Sequence, residues 1–194
     1  MNILSIKKKE KIGREKPLFT NVTFGIQEGE KAALIGKNGT GKSTLLNTIA
    51  GVLQPDEGTS VINKESGVSF LSLNPLFNPE DTIRQHIFKY KSPKLAIINE
   101  YLEQCDKLSK QNNIEKDQKK YEELLLQMDN KDLWNYESQI SSILSTLKIT
   151  DLERKMGSLS GGMLKKVALA QVLVEDTKLL LLDEHTASLD PKTA

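Results

Sequence analysis

An α/β domain with a mostly parallel sheet is the fold class this sequence predicts, and three observations predict it. Short apolar runs suited to buried strands alternate with segments of helical spacing in the first and last thirds. A glycine-rich stretch, Gly36–Lys37–Asn38–Gly39–Thr40–Gly41–Lys42–Ser43, stands between one such run and one such helix. A glycine-free stretch between Asp81 and Thr150 separates the two α/β parts and reads as a helical insertion. At 194 residues the chain has room for one well-buried domain and not for two of ordinary size.

The elements follow in order. Residues 22–26 (VTFGI) alternate in a β manner, and Glu28–Gly29–Glu30 reads as a turn. The run KAALI, residues 31–35, is too short for a helix and suits a buried strand. From Gly41, KSTLLNTIAG has apolar residues at helical spacing and a stop at Gly51. Gly58 and Gly67 bracket a hairpin or turn region, and GVSFLSL, residues 67–73, is a further strand. In the middle, Ile98, Tyr101, Leu102, Cys105 and Leu108 form one helical stripe. Tyr121, Leu124, Leu125 and Met128 form another, beyond a nearly all-polar stretch at 109–120. Two amphipathic helices about a polar tip make a helical hairpin. Ser160–Val174 is a helix and Leu179–Leu182 a buried strand.

Composition narrows the function classes. With 38% hydrophobic and 27% charged residues the chain is of globular type, and a net charge of +1 exerts no global pull toward nucleic acid or anionic lipid. The basic clusters Lys7–Lys8–Lys9 and Lys119–Lys120 read as solvated surface. Cys105 is the one cysteine, so no internal disulfide forms, which fits a reducing compartment. No apolar run approaches the ~20 residues that span a bilayer. MNILSIKKKEK lacks the apolar length and charge order of a signal peptide. A cytoplasmic location follows, with any membrane association through a partner.

The glycine-rich stretch fits G-x-x-x-x-G-K-[ST] in the required setting, after a strand and opening a helix. Glycines let successive backbone N–H groups converge on phosphate oxygens, and the helix adds its positive end. Lys42 is placed to reach the β- and γ-phosphates of ATP or GTP, and the Ser43 hydroxyl to ligate Mg²⁺. Asp183, ending the Leu179–Leu182 run, is the candidate second support for the metal, and Glu184 the candidate acceptor of a proton from the attacking water. Leu159–Ser160–Gly161–Gly162–Met163 opens the last helix, with Ser160 as N-cap. Two glycines in a first turn cost helix stability, and they make sense where a phosphate must approach the backbone closely.

These three elements in this order resemble the ATP-binding cassette (ABC) family. GKNGTGKST stands as its Walker A motif, LSGGM as its signature motif and LLLLDE as its Walker B motif with the adjacent catalytic glutamate, while Ser188–Leu189–Asp190 matches its D-loop. The resemblance covers nearly the whole chain. It implies an ABC-type nucleotide-binding domain with a parallel-sheet core over residues 1–194 and a helical subdomain with an arm-like insertion over 81–158. ATP is expected at Gly36, Asn38, Gly39, Thr40, Gly41, Lys42, Ser43 and Thr44, with Mg²⁺ at Ser43 and Asp183 and catalysis by Glu184. Two cassettes pair head to tail, so that Ser160, Gly161 and Gly162 of one complete the ATP site of the other. One cassette supplies half of each of two sites, and the isolated chain is expected to bind ATP with little turnover.

Within the family, LSGGMLKKVALAQVL, MNILSI, EKPLFTNVTFGI and ALIGKNGTGKSTLL look like ABC-F proteins, the tandem-cassette ATPases that act on the ribosome. The long interval from Leu73 to Leu159 suits an inserted ABC-F arm. The tail, DEHTASLDP, is closer to the wording of importer ATPase subunits, which work with a membrane permease. Leu73 stands at the place of the family's Q-loop glutamine, and Ile12 at that of the aromatic that stacks on adenine, with Phe19 close by in sequence. Neither His86 nor His185 matches the switch histidine, so the sequence reads as a cassette truncated before its C-terminal strands. A non-catalytic ATP-binding fragment is the remaining alternative.

Overall fold

The computed structural model describes residues 1–13, 17–89, 92–110 and 115–183. The chain folds as two compact units, Met1–Leu76 joined by residues 176–183, and Phe77–Glu175.

The first unit opens with two long strands, β1 (Asn2–Ile12) and β2 (Pro17–Gln27), paired antiparallel with Ser5 opposite Gly25 and Ile6 opposite Phe24. Helix α1 (Lys42–Ile49) follows, and then β3 (Glu57–Ile62), which takes the other edge of β1 to give the order β2-β1-β3. Strand β4 (Val68–Leu71) pairs in parallel with the last strand, β5 (Leu179–Leu182), Val68 opposite Leu179 and Leu71 opposite Leu182. One core joins these parts: Ile3, Leu4 and Ile6 of β1, Leu45 and Ile49 of α1, Leu179 and Leu181 of β5. The spacings are those of a helix face (i, i+4) and a strand face (i, i+2) turned to one interior. Full burial of each such side chain contributes about 1.5–3 kcal/mol.

Lys9 departs from the solvated surface expected of its basic run. Continued alternation from Leu4 and Ile6 would turn Lys8 inward and leave Lys9 outside. Instead the ladder slips between Ile6 and Lys9, Lys8 takes φ 48°, and Lys9 is 0% exposed. Gly58 of β3 lies against this bulge at φ +80°, where a Cβ would come 2.3 Å from the Lys8 carbonyl oxygen, so glycine is required. The buried amine donates to the Thr48 carbonyl (2.7 Å) and the Ser60 hydroxyl (2.8 Å). It thereby ties the C-terminal end of α1 to two strands. Lys7, Lys8, Lys119 and Lys120 are exposed, as expected.

The run at 31–35 is not a strand. Every residue of it is exposed, Ile35 at 91%, and Ala32, Ala33 and Leu34 border a groove of about 970 Å³ floored by core leucines. A parallel strand exists only where a ladder partner receives its N–H and C=O groups. Among the described residues the parallel ladder joins β4 and β5 alone, and residues 31–35 have no place in it.

The second unit is helical. Helix α2 (Ile83–Ile87) is short and carries a full capping box: the Thr82 hydroxyl accepts from the Gln85 N–H, and the Gln85 side chain accepts from the Thr82 N–H. Helices α3 (Pro93–Lys110) and α4 (Glu115–Asn130) form the hairpin that the two apolar stripes predict. Tyr101 stacks on Tyr121 across it, with ring centroids 5.9 Å apart, and meets Trp134 edge-on at 5.4 Å. Helix α5 (Trp134–Thr146) leads through a 3-10 turn at Met156–Ser158 to α6 (Gly161–Leu173), and the Tyr136 hydroxyl donates to the Val174 carbonyl at the end of α6. The structure thus has the α/β composition the sequence predicts. Among the described residues no helix is long and apolar enough to cross a membrane.

Candidate nucleotide site

The loop from Gly36 to Gly41 is set by its own backbone chemistry. Gly39 and Gly41 sit at φ 80° and 89°, which side chains other than glycine's resist. A Cβ on Gly41 would also press on the Leu18 carbonyl oxygen at 3.1 Å, so the loop lies flat on β2. The Thr40 hydroxyl donates to the Lys37 carbonyl (2.8 Å) and closes the loop on itself. The Lys42 ammonium donates to the Gly36 and Lys37 carbonyls at 2.9 and 3.1 Å, and so lies back across the loop it follows. Gly41 is the N-cap of α1 and offers no side-chain acceptor. The positive end of α1 is therefore left for an anion to satisfy.

Asp183 comes to the foot of the same helix from the far end of the sequence. It directly follows β5, its N–H donates to the Leu71 carbonyl (3.0 Å), and it is only 3% exposed. The Ser43 hydroxyl donates to its Oδ1 at 3.0 Å. Asn47 steadies the turn by donating its side-chain amide to the Ser43 carbonyl at 2.7 Å. A hydroxyl and a carboxylate oxygen side by side, at the positive end of a helix, are hard donors suited to Mg²⁺. That ion keeps waters and substrate phosphates for its remaining positions rather than a full protein cage.

The other expected residues fall elsewhere. Thr44 is in the first turn of α1 and half-buried. Ser160 is the N-cap of α6 in the second unit, its hydroxyl accepting from the Met163 N–H at 3.3 Å. Gly161 and Gly162 occupy the first turn of α6, and a Cβ on either would meet nothing within 4 Å. Glu184, His185 and Ser188–Asp190 lie outside the described residues. Ile12 ends β1 exposed, its N–H donating to Asp56 Oδ2 at 2.7 Å, while Phe19 packs against the core. Leu73 is 40% exposed. Lys9 was not legible as part of this region. Only the bulge at Lys8 turns it toward α1, and nothing in the basic run signals a bulge.

A glycine loop seated at the start of one helix, with a strand-end carboxylate hydrogen-bonded to the first serine of that helix, defines the class: a nucleotide-binding ATPase domain of α/β type. The model of the family described as ABC transporter matches residues 19–187, and the chain belongs to that family, one of ATP-hydrolysing enzymes. YfmR, an ABC transporter ATP-binding protein of Bacillus subtilis, is 35% identical over 193 residues, which cover 100% of this chain and 31% of YfmR. The energy-dependent translational throttle protein EttA of Mycobacterium tuberculosis is 28% identical over 194 residues, covering 98% of this chain and 34% of EttA. A solved structure of an ATP-binding subunit of an ABC transporter matches with a TM-score of 0.68 at 23% identity, covering 98% of this chain and 70% of that one, a likeness of fold. The chain spans about a third of the length of these curated relatives.

Proposed function

We propose that this cassette binds Mg·ATP at Gly36–Thr44 and, paired with a second cassette, hydrolyses it to drive a conformational change on the ribosome, in the manner of ABC-F proteins. The observation that carries the nucleotide site is the 3.0 Å hydrogen bond from Ser43 to Asp183 at the foot of the glycine loop. Lys42 would leave the Gly36 and Lys37 carbonyls for the β- and γ-phosphate oxygens, and the loop amides would hold the remaining charge. Ser43 and Asp183 would hold Mg²⁺, which when bound neutralises charge on the transferring phosphoryl group. Glu184 would orient the attacking water and accept its proton. Catalysis of this kind is mostly positioning and electrostatic stabilisation.

The signature residues support the paired arrangement. Neither Gly161 nor Gly162 is required by packing, since a side chain at either would stand in open space, and each costs about 1 kcal/mol against alanine within a helix. Close approach of a phosphate from outside the cassette accounts for both. The ribosomal branch draws support from the relative named as a translational throttle and from the hairpin of α3 and α4. The tail DEHTASLDP and the relative named as an ABC transporter ATP-binding protein favour a second reading, an ATPase subunit serving a membrane permease.

Co-sedimentation separates the two. The polypeptide that carries this cassette, as Glu184→Gln in Mg·ATP, is expected to pellet with ribosomes, and Lys42→Ala to abolish both ATP binding and pelleting. Co-purification with a permease from mild detergent, with no pelleting, would replace the ribosomal reading by the transporter one. ATP binding that survives Lys42→Ala would overturn the site itself.

A further inference from the structure

The signature residues are held by a part of the chain far from them in sequence. Residues 79–84 run antiparallel to residues 152–157, with Thr82 bridged to Lys155. Four backbone hydrogen bonds close the pairing: Met156 N–H to the Asp81 carbonyl (2.8 Å), Gly157 N–H to the Pro79 carbonyl (3.0 Å), Ile83 N–H to the Arg154 carbonyl (2.9 Å) and Arg84 N–H to the Leu152 carbonyl (2.9 Å). Lys155 adds an ion pair to Glu80 at 2.6 Å. From this pairing the chain passes at once into the 3-10 turn, where the Ser158 N–H returns to the Lys155 carbonyl and the Leu159 N–H to the Met156 carbonyl. Ser160, the cap of α6, comes next. No unconstrained residue separates Pro79 from the signature motif.

Gly157 packs directly on Pro79. A Cβ there would lie 3.0 Å from Pro79 Cβ, 3.1 Å from its carbonyl oxygen and 3.5 Å from its Cα. The proline ring cannot turn aside, and its carbonyl is already engaged by the Gly157 N–H. Glycine at 157 is thus what lets the 3-10 turn seat on Pro79.

We propose that Gly157 and Pro79 are positioning residues for hydrolysis: their contact fixes the placement of Ser160, Gly161 and Gly162 against the ATP of the partner cassette. The proposal rests on the paired reading given above. A side chain at 157 shifts the turn, and with it Ser160, by several tenths of an ångström. A misplacement of 1 Å costs a catalytic constellation on the order of a hundredfold, so a shift of this size is worth about tenfold in kcat. The cassette's own loop at Gly36–Ser43 is untouched.

The test uses the whole polypeptide that carries this cassette, with turnover at saturating ATP, affinity for a fluorescent ATP analogue and Tm measured for each variant. Gly157→Ala is expected to lower kcat about tenfold, with analogue affinity and Tm close to wild type. Pro79→Gly in the Gly157→Ala background removes the proline Cβ at 3.0 Å but leaves the carbonyl oxygen at 3.1 Å, and is expected to recover part of the lost kcat. Ser160→Ala serves as the control for the paired reading. Wild-type turnover in Ser160→Ala would overturn that reading, and this proposal with it. Loss in Ser160→Ala with wild-type turnover in Gly157→Ala would overturn the proposal alone. So would a Gly157→Ala defect that Pro79→Gly leaves in place, or one that lowers affinity and Tm in step with kcat.

Discussion

His86 is a buried imidazole in the second unit, 3% exposed, and its Nδ1 has no hydrogen-bond partner among the described residues. Burial pushes its pKa below the usual value, the nearby Lys89 charge pushes the same way, and Asp81 partly opposes them. In the unfolded chain the ring takes up a proton near pH 6.5, whereas in the native state it does so only at lower pH. Between those two pKa values the unfolded state binds more protons, so stability falls as pH drops below about 6.5. Urea melts at pH 7.5 and 5.5 should show a lower midpoint at the acid value, and His86→Phe should flatten the difference. An equal acid loss in the variant would place the sensitivity on other groups. Composition makes His86 visible as one of two histidines, but not its burial, which is set by the packing of α2 against α6. Lys9 makes the same point more sharply, because a slip of one residue in the ladder exchanges inside for outside. The phosphate loop was legible for the opposite reason: its chemistry depends on contiguous backbone and so is written in contiguous residues.

Elements were legible where a periodic stripe was long or a cap was present. Helices α3, α4 and α6 announced themselves in this way, the last through Ser160. Helix α5 has no counterpart among the elements the sequence predicts; its described core face reduces to Ile140 and Leu144, and Leu133 at its N-cap makes no side-chain bond. The run at 31–35 shows the converse, an apolar stretch whose strand character depends on a ladder partner that the local sequence does not supply. The helical elements are also held by a group no stripe reveals. Arg84 of α2 is buried and donates to Glu153 (2.7 Å), Asp106 and Asn99 (3.5 Å), joining α2, α3 and the segment before the 3-10 turn. Removing one member of a buried pair costs about 3–5 kcal/mol when the other is left dry. Here Asp106 and Glu153 are 50% and 53% exposed and regain water, so Arg84→Met should cost about 2 kcal/mol. A denaturant midpoint within error of wild type would mean that the three bonds are held at no net gain.

At the scale of the molecule, the residues proposed to meet nucleotide fall into two sets, one in each unit. Lys42, Ser43 and Asp183 belong to the first, and Ser160, Gly161 and Gly162 to the second. In the paired reading the two sets never serve the same nucleotide, because each signature faces the phosphate loop of another cassette. The 194 residues by themselves carry one loop and one signature, so for this segment alone binding and turnover should separate on dilution. Mg·ATP should saturate one site per chain at every protein concentration, since the loop and Asp183 need no partner. Turnover per chain should fall to that of a Glu184→Gln control as the protein is diluted, because the association that completes a site is bimolecular. Turnover that exceeds the control and stays constant on dilution would show instead that a single chain assembles its own site. The open space around Gly161 and Gly162 would then have to be filled from within the same chain, which the same measurement with Gly162→Asp would reveal as a loss at all concentrations alike.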